Sequence, residues 1–143
     1  MKRTLLVDEV GIPLSITISG ANVHDVKMLE EMIQGKLVKA PEGTIENLCL
    51  DAGYTGKKHK ETVESYGYIP HIRPRGEEIS EKEKNPEFKP KRWIVEVAHS
   101  WFNRFRKILV RFEKKADNYL ALLQFAAAII CLRKIDNGKI IYG

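Results

Sequence analysis

Apolar and polar residues alternate through Leu14-Ser15-Ile16-Thr17-Ile18-Ser19 with period two, the pattern of a half-buried strand. A short apolar run at 4–7 precedes it, and Gly11 and Pro13 punctuate the segment between them, so strand, turn and strand form a predicted antiparallel hairpin. Residues 25–33 place Val26, Leu29, Met32 and Ile33 on one side of a short helix, with Gly35 just beyond its end. Leu48-Cys49-Leu50 reads as a buried strand running into the acidic turn Asp51-Ala52-Gly53-Tyr54. Thr55 is placed to cap a helix over 57–66, Gly67 to stop it, and residues 68–72 to form another strand. Residues 73–90 are polar, charged and broken by Pro74, Gly76, Pro86 and Pro90, which predicts a mobile loop or a small insertion.

Beyond that segment the period lengthens to that of a helix. A long helix over 93–113 would gather Ile94, Ala98, Trp101, Phe105, Leu109 and Phe112 on one face. Arg92, Glu96, His99, Asn103 and Lys107 fall on the other. A last helix over 118–134 is apolar nearly all round, as a core helix or a subunit contact would be. Its apolar run, interrupted by Gln124, falls short of the roughly 20 residues that span a bilayer. The apolar run at 4–7 is too short for a signal peptide, so the expectation is a soluble, cytoplasmic protein.

Composition narrows the picture further. A chain of 143 residues, 43% hydrophobic and 30% charged, is expected to fold as a single domain and not to be disordered. Cys49 and Cys131 sit in apolar runs without metal-ligand spacing, so they read as core thiols of a reducing compartment. The net charge of +5 favours an anionic partner. Its location is more telling: Arg104, Arg106, Lys107, Arg111, Lys114 and Lys115 fall within twelve residues, opposed only by Glu113. That spacing suits a phosphate backbone or, more plainly, the solvated face of a core helix. Lys57-Lys58-His59-Lys60 adds a smaller cluster just after Asp51.

Two carboxylates stand out. Asp51 follows directly on an apolar strand, and ligand sites in open sheets gather beyond the carboxyl ends of strands; the alternative is an aspartate satisfied by turn amides. Glu96 lies on the polar side of its helix, where it could equally pair with Arg92 one turn back. Hard carboxylate oxygens suit Mg²⁺, and a pair of such ions can drive in-line displacement at phosphorus. At a separation of 45 positions, spacing alone does not say that Asp51 and Glu96 meet. His24, His59, His71 and His99 lack zinc spacing, Ser19 and Ser100 lack a nucleophile-elbow context, and the sequence has no P-loop or dinucleotide fingerprint.

Several of these stretches together resemble the DDE transposases of bacterial and archaeal insertion sequences. Gly11-Ile12-Pro13-Leu14 and Gly20-Ala21-Asn22-Val23-His24-Asp25 look like that family's paired strands and following turn. Asp51-Ala52-Gly53-Tyr54 is similar to its second acidic motif. Arg92-Trp93-Ile94-Val95-Glu96, with His99-Ser100-Trp101-Phe102-Asn103-Arg104-Phe105, is similar to its glutamate helix, and Asn118-Tyr119-Leu120-Ala121-Leu122 to its last helix. The likeness runs from about Lys2 to Arg133, nearly the whole chain.

The resemblance implies an α/β, ribonuclease H-like fold with a mixed sheet and flanking helices, the whole of 1–143 being one partial catalytic domain. It also implies cleavage and strand transfer at transposon ends by carboxylates holding two Mg²⁺ or Mn²⁺ ions. Asp51 and Glu96 take the places of the second acid and the glutamate, as catalytic and metal-binding residues. Arg92, His99, Asn103, Arg104, Arg106, Lys107, Lys57 and Lys58 are the expected DNA contacts. Val97 stands where the family commonly has arginine.

The family's first aspartate belongs to a strand preceding the hairpin, a strand absent from this sequence, and Asp8 and Asp25 match other family positions. The expectation is therefore a C-terminal part of a transposase, inactive alone: a second reading frame, a degenerate remnant or a partial gene product. Its partners would be DNA, an upstream-frame transposase product, or further copies of itself, in a bacterial or archaeal cytoplasm at the nucleoid. The alternative is a non-catalytic, DNA-binding or inhibitory module of a transposon.

Overall fold

The computed structural model describes residues 1–72 and 93–135. Strands β1 (Lys2–Val7) and β2 (Pro13–Ser19) form the predicted antiparallel hairpin, with Lys2 opposite Ser19, Leu5 opposite Ile16 and a register break between Leu6 and Val7. Asp8 ties the turn, its Oδ1 accepting from the amides of Val10 at 3.0 Å and Ile12 at 2.8 Å. Gly11 adopts φ 91°, and a Cβ there would lie 3.1 Å from the Trp101 ring. Glycine is needed at this point for both the turn and the close packing against the later helix.

Helix α1 (Asp25–Gln34) follows, burying Met28, Leu29, Met32 and Ile33. Next come β3 (Glu46–Leu50), a single 3₁₀ turn (Ala52–Tyr54), α2 (Lys57–Ser65) and β4 (Tyr68–Ile72). Strands β3 and β4 pair in parallel, with Leu48 opposite Pro70 and Leu50 opposite Ile72. Pro70 has no amide to donate, which suits a strand that, among the described residues, pairs on one side only. Gly67, at φ 85°, stops α2 as predicted and donates its amide to the Glu64 carbonyl at 3.0 Å. The N-cap of α2, however, is Gly56, with no side-chain cap, and not Thr55.

The second half contains α3 (Trp93–Asn103), α4 (Arg106–Leu109) and α5 (Ala116–Ile135). The expected continuous helix over 93–113 is broken at Arg104 and Phe105, where Phe105 takes φ −84°, ψ 110°. The break resets the helical phase. Ile94, Ala98 and Phe102 are buried, Ile108 replaces Leu109 inside, and Leu109 and Phe112 are 61% and 68% exposed. Helix α5 is longer than its apolar run: by length and composition it could cross a membrane. One side of it, nonetheless, is built into the core through Tyr119, Leu123, Ala126 and Ile130.

The strands do not join into one mixed sheet. Among the described residues they form two separate two-stranded sheets, β1–β2 and β3–β4. Two apolar cores share β1 as a wall. Leu5 enters one with Phe102, Ile108, Leu123 and Ile130, while Leu6 enters the other with Leu29, Met32, Leu48 and Val63. Alternation along a strand makes this possible, since neighbouring side chains leave on opposite faces. A trough of about 150 Å³ runs between the strands, lined by Leu5, Leu6 and Val7 of β1 and by Leu48, Cys49 and Leu50 of β3. Cys49 is accordingly exposed and Cys131 half-buried, so neither is the core thiol expected from its apolar neighbours. The segment 73–90, expected as a mobile loop or insertion, lies outside the described residues.

Candidate active site

The trough widens at one end into a cleft of about 290 Å³, lined by Arg3, Leu50, Asp51, Tyr54, Glu96 and His99 among others. Three separate elements supply these groups. β1 brings Arg3, the end of β3 and its 3₁₀ turn bring Asp51 and Tyr54, and α3 brings Glu96 and His99. The two carboxylates singled out in the sequence thus share one cleft despite their separation along the chain. Asp51 sits where the strand's carboxyl end opens into solvent, and Tyr54 donates its amide to the Asp51 carbonyl at 2.9 Å, closing the turn.

Arg3 was not among the expected site residues. It reaches from β1 to α3, donating from Nε to Nδ1 of His99 at 3.2 Å and from Nη2 to Oδ1 of Asn103 at 3.1 Å. Its guanidinium also lies 5.4 Å from the centre of the Phe102 ring. The signal was present in the register: Arg3, Leu5 and Val7 share one face of β1, and Leu5 and Val7 pack on the first core. A cation on that face has α3 above it. Burial lowers the Arg3 guanidinium from its ordinary value, with the Tyr119 hydroxyl acting the other way. Burial, and then the Arg3 charge, lower His99 as well, which keeps its imidazole neutral near pH 7.

The remaining expected contacts are dispersed. Asn103 and His99 stand on α3 beside Arg3. Arg104, Arg106 and Lys107 are exposed around the helix break, so the basic run curves over two elements and a turn instead of striping one helix. Arg111 is partly taken up in folding: its Nε donates to the Glu113 carbonyl at 2.9 Å, and it stacks 5.1 Å from the Tyr119 ring. Lys57 and Lys58 are exposed on the first turn of α2, Lys57 lying 3.7 Å from Glu61. Arg92 lies outside the described residues.

Carboxylate oxygens are the right chemistry for a hard divalent cation. Their number is small: among the described residues no group of three or more His, Cys, Asp or Glu side chains could hold a metal ion. The cleft therefore offers two carboxylates, a neutral imidazole and a half-buried guanidinium. Such a set suits an oxyanion that is itself bridged to a cation better than it suits a metal enclosed by protein ligands.

Comparison with known proteins bears on this geometry. The family model described as "Transposase DDE domain" matches residues 48–133, the stretch that carries both carboxylates. A protein of Burkholderia cepacia, named as the candidate transposase of insertion sequence element IS402, is 31% identical over 145 aligned positions. The alignment covers 96% of this chain and 66% of that protein. No solved structure matches.

Proposed function

The chain belongs to the DDE transposases of insertion sequences, and on that premise we propose that it is the C-terminal part of a ribonuclease H-like catalytic domain that cleaves and joins DNA at transposon ends. The placing of Asp51 and Glu96 on one cleft carries the proposal. The strand edges of β1 and β3 that are unpaired among the described residues support its incompleteness. β1 and β3 line opposite sides of a trough without hydrogen-bonding to each other, and an added strand would satisfy the backbone groups of both.

Asp51 and Glu96 are the residues that would hold the divalent ion, Mg²⁺ or Mn²⁺. When bound, it would polarise a phosphodiester and favour the attacking oxygen. This chain's own groups do the rest. The end of β3 places Asp51, the first turn of α3 places Glu96, and His99 and Arg3 add a hydrogen-bond donor and a positive charge beside them. A two-ion centre, with ions about 3.5–4 Å apart, needs more negative charge than two carboxylates provide. The third acid would come from the added strand, and the chain alone would be inactive.

Two measurements test this. Mn²⁺ should broaden the NMR signals of residues lining the cleft, and Asp51→Asn or Glu96→Gln should abolish the effect. Broadening elsewhere, or broadening that survives both substitutions, would remove the assignment. In a nicking assay on transposon-end DNA, the 143-residue chain should be silent; robust cleavage lost in Asp51→Asn would overturn its incompleteness.

The exposed residues Arg104, Arg106 and Lys107 favour a second role, DNA binding without chemistry, in which the chain inhibits a complete transposase or pairs with it. Reversal of those three charges should weaken salt-sensitive DNA binding, whereas Glu96→Gln should leave it unchanged. Either role puts the protein on DNA in a bacterial or archaeal cytoplasm.

A further inference from the structure

An arginine Nε always carries its hydrogen and can only donate. The 3.2 Å contact from Arg3 Nε therefore requires Nδ1 of His99 to be the acceptor, with a free lone pair and no proton. A neutral imidazole has one N–H, so the proton of His99 resides on Nε2. The same arginine spans to the His99 carbonyl at 3.4 Å and to Asn103 at 3.1 Å, with its guanidinium over the Phe102 ring. These further contacts, to His99's own carbonyl and to residues about one turn on along α3, hold the half-buried Arg3 against the helix.

This polarity matters for what the cleft can bind. A phosphate oxygen only accepts hydrogen bonds, so an imidazole presenting a bare Nε2 would repel it and one presenting Nε2–H would hold it. We propose that Arg3 is a positioning residue: by occupying Nδ1 it holds His99 as the Nε2–H tautomer, a hydrogen-bond donor for a phosphate oxygen of DNA in the cleft that contains Asp51 and Glu96. The class of ligand rests on the function proposed above; the tautomer rests on the Arg3 contact alone. Burial of His99 works in the same direction, since it disfavours the doubly protonated ring.

Two-bond ¹H–¹⁵N NMR correlations distinguish the two tautomers and the imidazolium on the 143-residue chain. The wild-type chain should show His99 as Nε2–H alone. Arg3→Met keeps an apolar stem over Phe102 but no donor, and should give a mixture of tautomers with an otherwise unchanged amide spectrum. A wild-type ring protonated at Nδ1, or an Arg3→Met ring still wholly Nε2–H, would overturn the proposal.

A short DNA duplex, titrated at fixed salt, reads the ligand. His99→Gln places an amide N–H near the position of Nε2–H and should bind within about twofold of wild type, whereas His99→Leu should bind about three- to tenfold more weakly. Equal losses in the two variants, or none in His99→Leu, would remove the donor role. Inorganic phosphate at the same concentration should leave the His99 signals in place; an equal shift would overturn the assignment to DNA. Loss of the Mn²⁺ effect with the tautomer intact would sink the proposed function alone. A wrong tautomer with the Mn²⁺ effect retained would sink this inference alone.

Discussion

The two halves of the fold bury their strands to different depths. On the β2 side, the hairpin is covered by α3 and α5, and Phe102, Ala98 and Leu123 are wholly removed from water. On the β3 side, only Leu48 of its strand is buried, and β4 has no buried residue. The second core depends on helices instead, with Leu29 of α1 and Val63 of α2 fully buried. The first region is thus a closed hairpin under helices, and the second is an open pair of strands propped from one side. The cleft lies where they meet, so one wall of the candidate site is firm and the other yields more easily.

The largest expected effect tests whether the two regions fold as one. Phe102→Ala removes the biggest fully buried side chain among the described residues and should cost about 3–5 kcal/mol, and Leu29→Ala about 2–5 kcal/mol. Because β1 walls both cores, the first should lower amide protection throughout. Leu29→Ala should expose the β3 and β4 amides to exchange first, leaving the hairpin protected. Uniform loss of protection in Leu29→Ala, followed by hydrogen exchange, would show that the difference in burial has no counterpart in stability.

Next in size is the polar tie that holds the open region together. Lys36, just after α1, donates to Glu46 of β3 and to the Tyr68 hydroxyl of β4 at 3.1 Å. Burial by itself would lower the Lys36 ammonium, but its hydrogen bonds to Glu46 and Tyr68 outweigh that and leave it raised. The folded chain therefore holds this proton more tightly than the unfolded one. The resulting stability is fully present below the unfolded value, about 10.4, and is lost as pH rises through the folded one. Lys36→Met should cost about 1–3 kcal/mol by chemical denaturation, since Glu46 and Tyr68 both lose a partner, and should flatten the alkaline limb.

How much of this contrast could be read in the sequence differs between the regions. The hairpin was legible because period-two alternation marks an extended strand, and Gly11 and Pro13 marked its turn; its depth was not, since Ser15 and Ser19 are buried while Leu14, Ile16 and Ile18 are only partly so. Leu48-Cys49-Leu50 looked equally clear as a buried strand, yet Cys49 is exposed. An apolar run says that a strand is sticky, not that a neighbour covers it. The break at Arg104 and Phe105 contains no glycine or proline and went unseen. Its cause is tertiary, since Phe105 packs against the first core and Ile108 is buried in it.

The candidate site divides in the same way. Asp51 and Glu96 were legible as chemistry but not as neighbours, and only the resemblance to a family joined them. Arg3 and His99, 96 residues apart, leave no trace in spacing. A cation in step with Leu5 and Val7 was their single mark.

A smaller effect separates the firm wall from the yielding one by pH. His99 is lowered first by burial and then by Arg3, so the unfolded chain takes up its proton more readily than the folded chain. Stability from this group is fully present above the unfolded value, about 6.5, and falls as pH drops below it. Urea midpoints compared between about pH 7.5 and pH 5.5 should fall, and His99→Gln should remove that part of the slope. Because His99 lies on the helix that covers the hairpin, loss at acid pH should appear in β1 and α3 exchange before β4.

The smallest stability effect belongs to the rim of the open region, and it is the one that separates folding from function there. Lys57 and Glu61 form a surface pair at 3.7 Å, with the lysine side chain 90% exposed. Water screens such a pair and both chains lose rotamer freedom in forming it, so Lys57→Ala should change stability by less than about 0.5 kcal/mol. Lys58 is exposed on the same turn and should matter as little to folding. If these lysines meet a DNA backbone near the Asp51 turn, Lys57→Ala and Lys58→Ala together should reduce the salt slope of duplex binding by up to about two units. Unchanged stability with a shallower salt slope would make the exposed surface of this region a phosphate-contacting one. Unchanged stability with an unchanged slope would leave DNA to the residues around the helix break and assign the Asp51 side of the cleft no backbone contact of its own.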